Sequence, residues 1–322
     1  MAEPTKIILD TDPGGDDIFA FLWLLSLVAQ GKADLVAITA AAGNVAARQT
    51  FTNSAKILEL AGFDVPVGRA VRPTAQPGAD AGHIHGADGM GNLSQTLPPP
   101  AQDFDTAQSA DDLLIEQLSA NPGAITLVAI GPLTNLAAAE AKQPGILKQA
   151  KAIVVMGGAF GCPGNVTAQA EFNIWFDPDA AQTVLGSRDD VVILPLDVTR
   201  QLVFTPEMAA TVVGHNPDGA LASFVGKLYE FMVGTALQHR ETGGQRGFLV
   251  HDAATVGYLF YPQTLMLQRS RVQVETQGEL TLGQTVVDRR SGVAANANAW
   301  VALQVDRSRF FTEFIADLKG II

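Results

Sequence analysis

The sequence predicts an α/β fold built on a mainly parallel, open sheet flanked by helices. Short runs rich in Ile and Val alternate with longer segments of helical period, the pattern of successive βα units. Hydrophobic residues make up 47% of the 322-residue chain and charged residues only 17%, which is ample apolar surface for a large core. No internal repeat, heptad or linker interrupts the pattern, so residues 1–322 are expected to form a single domain.

Taken in order, strands are expected at Lys6–Leu9, Leu35–Thr39, Ile125–Ile130, Ala152–Met156 and Val191–Pro195. Helices are expected over Asp16–Ala29, Gln49–Leu60, Ala110–Ser119, Leu133–Ala141 and Pro178–Leu185. Between about Arg69 and Phe104 the chain fills with Pro, Gly, Asp and His, which suggests a functional lid or a disordered connector. A mainly helical stretch, Thr205–Phe260, precedes β-like pieces near Arg271–Glu275 and Gln284–Val287, and Asp306–Leu318 closes the chain as a helix. In such a fold ligands bind outside the carboxyl ends of the strands, so the residues just after each strand carry the chemistry.

Composition narrows the function. With 33 acidic against 21 basic residues the formal charge is −12, which argues against a nucleic-acid or anionic-membrane surface. The single Cys162 excludes an intrachain disulfide framework, and no Cys/His cluster has zinc spacing. The start MAEPTKIILD lacks the basic and apolar regions of a signal peptide, and the run Ile18–Ala29 is short for a bilayer. A soluble, cytoplasmic protein is the expectation.

The first strand runs into DTDPGGDD and then a helix, placing Asp10, Asp12, Asp16 and Asp17 at one strand end. Their mutual repulsion is costly unless a hard cation joins them: Ca²⁺ accepts about six to eight oxygens in flexible geometry, whereas Mg²⁺ keeps more of its waters and wants a strict octahedron. Taken alone, Asp16 and Asp17 also suit a helix N-terminus and Asp12 a turn. An EF-hand loop is excluded, because Gly14 and Phe21 stand at its fifth and twelfth positions, where oxygen ligands belong. Glu171 and Asn173 would share one face of an extended segment, and Gly157, Gly158, Gly161 and Gly164 suggest a flexible loop rather than a dinucleotide fingerprint.

DTDPGGDD resembles the N-terminal signature of the inosine–uridine-type nucleoside hydrolases. The likeness continues in order through AAGNV around Asn44, GHIHGADGMG around His85, LVAIGPLTNLA around Ile130, VVMGGAF and GNVTAQAEFNIWFDPDAA, LPLDVTRQ, VHDAATVGYL around His251 and GELTLGQTVVD. The resemblance implies a Rossmann-like fold and hydrolysis of the N-glycosidic bond of ribonucleosides. It implies Ca²⁺ held by Asp12, Asp17, Asp252 and the Ile130 carbonyl, a Ca²⁺-bound water as nucleophile and Asp12 as its general base. Asp16 and Asn44 would hold the ribose 2′-hydroxyl, Asp252 and Asn173 the 3′-hydroxyl, and Asn165 and Glu171 the 5′-hydroxyl. His251 would activate the leaving base and His85 would lie near it; His215 and His83 receive no role. Relatives are commonly homodimers or homotetramers that serve nucleoside salvage.

Two regions depart from the family pattern. Gln238–Phe248 does not align with the family's aromatic-bearing helix, leaving Tyr229, His239 and Arg240 as possible base contacts, and Arg200 stands where relatives often carry histidine. Two rival readings compete. In a haloacid-dehalogenase-like phosphohydrolase, Asp10 would be the nucleophile and Asp12 the acid/base. In a non-catalytic, Ca²⁺-dependent nucleoside-binding protein, the same pocket would bind without turnover.

Overall fold

The computed structural model describes residues 3–71, 80–288, 290 and 296–322. The strands are β1 (Thr5–Thr11), β2 (Ala33–Ala40), β3 (Val67–Gly68), β4 (Ile125–Ala129), β5 (Ala152–Met156), β6 (Val191–Leu194), β7 (Val203–Phe204), β8 (Phe248–Leu249), β9 (Leu265–Val274), β10 (Thr285–Asp288) and β11 (Ala299–Val305). The helices are α1 (Gly15–Ala29), α2 (Ala47–Ala61), α3 (Gly82–His85), α4 (Ala110–Ala120), α5 (Thr134–Lys142), α6 (Phe172–Phe176), α7 (Pro178–Ser187), α8 (Leu196–Thr199), α9 (Pro206–Val213), α10 (Ala220–His239), α11 (Ala253–Phe260) and α12 (Arg307–Leu318).

Among the described residues, nine strands form one sheet in the order β10-β9-β11-β6-β5-β4-β1-β2-β3. From β3 to β11 every pairing is parallel, and β9 and β10 add an antiparallel hairpin at one edge. The parallel strands are buried on both faces, which explains why β4 (ITLVA) and β6 (VVIL) are continuous apolar runs without alternation. The chain builds outward from β1 through β2 to β3, then returns to lay β4 on the other side of β1. That reversal opens a crevice between the carboxyl ends of β1 and β4.

The five expected strands and five expected helices all form, within a few residues of their expected bounds. β11 was not foreseen. Its sequence AWVALQV alternates only in part, because it sits between a parallel and an antiparallel neighbour and is buried unevenly. The expected lid also differs. Its 72–79 part lies outside the described residues, but residues 80–96 form a tied wall rather than a loose connector. Asp88 accepts the N–H groups of Met90, Asn92 and Ser94, each at 2.8 Å, and the buried Lys56 donates to the Ser94 carbonyl at 2.7 Å. Among the described residues, α10 alone is long and apolar enough to cross a membrane. It packs as a core helix against α1, α2, α3, α9 and β8.

Candidate active site

A cavity of about 920 Å³ opens at the carboxyl ends of the strands. Asp16, Asp17, Asn44, His85, Ile130, Asn165, Glu171, Asn173, His251 and Asp252 all line it, as the sequence led one to expect. Asp12 is fully buried behind that lining. A depression of similar size lies by Asp190 and Asn298, at the amino ends of β6 and β11, where the fold places no ligand; its Arg188 and Arg290 are paired with Asp190 and Asp288.

The floor is built from the turn between β1 and α1. Asp17 serves as a cap: its Oδ2 accepts the Gly14 N–H at 3.1 Å and its Oδ1 accepts the Thr11 hydroxyl at 2.7 Å. The paired glycines permit close approach. A Cβ on Gly14 would sit 2.6 Å from Asn44 Nδ2 and 2.8 Å from His85 Nδ1, and one on Gly15 would collide with Met232. Asp252 arrives from the far end of the chain at the start of α11, and carboxylate oxygens of Asp16, Asp17 and Asp252 all lie within 4.8 Å of one another.

Asp12 stands slightly apart from that trio. Its Oδ2 accepts the Asn44 N–H at 2.7 Å, while Oδ1 is buried without a partner. No lysine or arginine among the described residues pairs with any of the four carboxylates. Burial, reinforced by Asp17, holds the Asp12 carboxyl well above the usual range; burial first, then Asp17, pushes Asp16 up to about 8. Asp17 and Asp252 are raised as well, burial again being the largest cause. Such a cluster of hard oxygens without a counter-charge fits a divalent cation, and the orphaned Asp12 Oδ1 is an unspent acceptor beside it. The Ile130 carbonyl accepts Asn173 Nδ2 at 2.9 Å, so its second lone pair is the one left for an ion.

Burial disfavours the charged form of both site histidines. Burial lowers His85 to about 4 and His251 to about 3. His85 Nδ1 accepts the Gly15 N–H at 2.9 Å, which fixes its proton on Nε2. His251 Nδ1 lies 2.7 Å from Thr199 Oγ1.

Several expectations need correction. Glu171 and Asn173 are not on an extended segment: Glu171 caps α6, accepting the N–H groups of Gly158, Asn173 and Ile174. Tyr229 does not line the cavity: it is buried edge-on against Phe204 and Phe248. His83, given no role, lines the cavity and faces His239, with ring centroids 5.6 Å apart. The glycine loop after β5 is held by Asp197 and Arg200 rather than left flexible. Asp197 and Thr199 were missed, and Arg200 was noted only as a departure without a role; all three closely follow β6, so the strand-end rule was the signal that pointed to them. Asp10 accepts Thr39 Oγ1 at 2.6 Å and Asn135 Nδ2 at 2.8 Å and does not line the cavity, so the phosphohydrolase reading loses its nucleophile.

Comparison with known proteins agrees with this geometry. Residues 7–312 match the family model described as inosine-uridine preferring nucleoside hydrolase. The chain is 38% identical over 308 residues to the pyrimidine-specific ribonucleoside hydrolase RihA of Shewanella woodyi, covering 94% of this chain and 95% of that one. It is 35% identical over 325 residues to the inosine-uridine preferring nucleoside hydrolase of Leishmania major, covering 99% and 98%. A solved purine-preferring ribonucleoside hydrolase from Gardnerella vaginalis superposes with a TM-score of 0.89 at 29% identity, covering 98% of both chains. The chain belongs to the inosine-uridine preferring nucleoside hydrolase family, enzymes that hydrolyse the N-glycosidic bond of ribonucleosides.

Proposed function

We propose that this chain releases free base and ribose from ribonucleosides in a Ca²⁺-loaded site, with Asp12 as general base. The observation that carries this reading is the buried set of Asp16, Asp17 and Asp252 at the cavity floor with Asp12 directly behind it, unpaired by any described lysine or arginine. Ca²⁺, held by Asp12, Asp17, Asp252 and the Ile130 carbonyl, with Asp16 beside them, would supply the positive charge that acidifies water and orders the sugar hydroxyls.

Asp12 is anchored through Oδ2, which leaves Oδ1 to accept the water proton as the C1′–O bond forms and the C1′–N bond breaks. Asn44 spends its Nδ2 on the Asp12 carbonyl and on Asp17, so its Oδ1 faces the 2′-hydroxyl together with Asp16. Asn173 spends its Nδ2 on Ile130 and Met156, so its Oδ1 accepts from the 3′-hydroxyl beside Asp252. Glu171 and Asn165 receive the 5′-hydroxyl. His85 and His251, both held down by burial, polarise the departing base by hydrogen bonding.

The same reading carries a cytoplasmic role in nucleoside salvage and a homodimeric or homotetrameric assembly, which light scattering measures. The decisive experiment is mass-spectrometric detection of free base and ribose from a panel of nucleosides, with and without a chelator. Ligand-induced stabilisation without ribose release would replace this reading with that of a non-catalytic binding protein.

A further inference from the structure

The short helix α8 touches the site at three points. Thr199 meets His251, as described. Asp197 accepts the N–H of Phe160 at 2.9 Å and of Gly161 at 2.7 Å. Arg200, one residue past the helix, donates Nη1 to the Pro163 carbonyl and Nη2 to the Gly164 carbonyl, each at 2.8 Å. An anion thus takes the donors at one end of the 160–164 loop, and a cation takes the acceptors at the other. The next residue is Asn165, whose Oδ1 accepts the Phe172 N–H at 2.9 Å, leaving its amide NH₂ to donate into the cavity.

We propose that Asp197 and Arg200 are positioning residues that clamp the 160–164 loop and thereby set how tightly Asn165 engages the 5′-hydroxyl of the sugar. The proposal rests on the hydrolase reading for the identity of the ligand. The physical reason is entropic: a loop holding Gly161 and Gly164 is costly to order, and charge-assisted hydrogen bonds at both ends offset that cost before substrate arrives. The planar guanidinium suits two successive carbonyls, whereas a lysine ammonium offers no such fork. This also accounts for an arginine at this position.

The loop carries its own reporter, because Cys162 is the only cysteine in the chain and lies half-buried with Sγ 3.6 Å from Asp197 Oδ2. Burial, then the Asp197 charge, pushes its thiol up, so labelling rates are compared at equal thiolate fraction from the pH profile of each variant. The experiment uses the full-length, Ca²⁺-loaded chain and the variants Arg200→Ala, Arg200→Lys and Asp197→Asn. An aromatic disulfide reagent should label Cys162 about tenfold faster or more in Arg200→Ala, with Arg200→Lys in between.

In the same samples, kcat/KM for a ribonucleoside should fall roughly 10–100-fold in Arg200→Ala, mostly through KM, the scale of one charge-assisted hydrogen bond. For the matching 5′-deoxyribonucleoside it should fall less than about threefold. Unchanged labelling, or equal losses on both substrates, overturns the proposal. If Arg200→Ala does not fold, Arg200→Lys and Asp197→Asn decide by the same two readouts. If the wild-type chain releases no base at all, the hydrolase reading falls and takes the 5′-hydroxyl assignment with it, while the labelling rates still decide whether the clamp holds the loop.

Discussion

The floor of the cavity and its mouth are built on different principles. The floor is a set of buried carboxylates at strand ends and helix starts, of which Asp12 is fixed by a backbone N–H and Asp17 by backbone N–H groups and the Thr11 hydroxyl. The mouth is made of His83 on the short α3 and of His239, Arg240 and Glu241 where α10 ends, with Arg240 in the left-handed conformation. Glu241 meets solvent at its outer edge, yet desolvation at the mouth still pushes its carboxyl up against the pull of His239, His83 and Arg200. On the proposed reading the difference assigns sugar chemistry to the sheet and base preference to the connections. The named relatives fit this division, since one is pyrimidine-specific and another purine-preferring although both align over nearly the whole chain.

The largest effect should come from the sugar. A floor lined for hydroxyl groups leaves buried acceptors unpaired when one is missing, so 2′-deoxyribonucleosides should react roughly 10⁴-fold more slowly or worse in kcat/KM. Comparable rates would mean that the floor does not read the sugar. Next, Asp12→Asn should cost about 10²–10⁴-fold in kcat with the fold retained, as judged by circular dichroism. Normal turnover in that variant would remove Asp12 from the mechanism.

A smaller, sharper test concerns the mouth. Glu241→Gln or His239→Ala should shift the ratio of kcat/KM between purine and pyrimidine ribonucleosides by about tenfold, while leaving the ribose-to-deoxyribose ratio alone. If both ratios move together, the division between floor and mouth fails.

The smallest effect is on stability. Asp12, Asp16, Asp17 and Asp252 are all raised on folding, so the folded, chelated protein binds more protons than the unfolded chain above about pH 4. So far as these groups set it, stability should therefore be fullest at about pH 4 and decline as the pH rises toward about 8. Added Ca²⁺ should raise Tm by more at pH 8 than at pH 5, because the ion binds the ionised form. Calorimetry with chelator and with Ca²⁺ checks the sign.

The acidic turn of the floor was legible in the sequence because DTDPGGDD is one contiguous turn after one strand. Asn44, Ile130 and Asp252 lie far from it along the chain and were assigned through the family resemblance; what patterning adds is that each follows a strand or opens a helix. The mouth was not legible. Whether His83 faces His239 depends on how α3 packs against α10, two elements far apart in sequence whose contact leaves no periodic trace. Tyr229 misled for the same reason: a tyrosine on that helix points either into the cavity or into the Phe204 and Phe248 cluster, and only packing decides. Glu171 misled differently, since polar alternation suits a helix cap as well as a strand edge.

Asp12 sits in the turn after β1 and Asp252 at the start of α11. A polypeptide cut short before α11 would therefore lack part of the acidic set, however much of its sheet had formed, and on the proposed reading could neither take up the ion nor turn over a nucleoside.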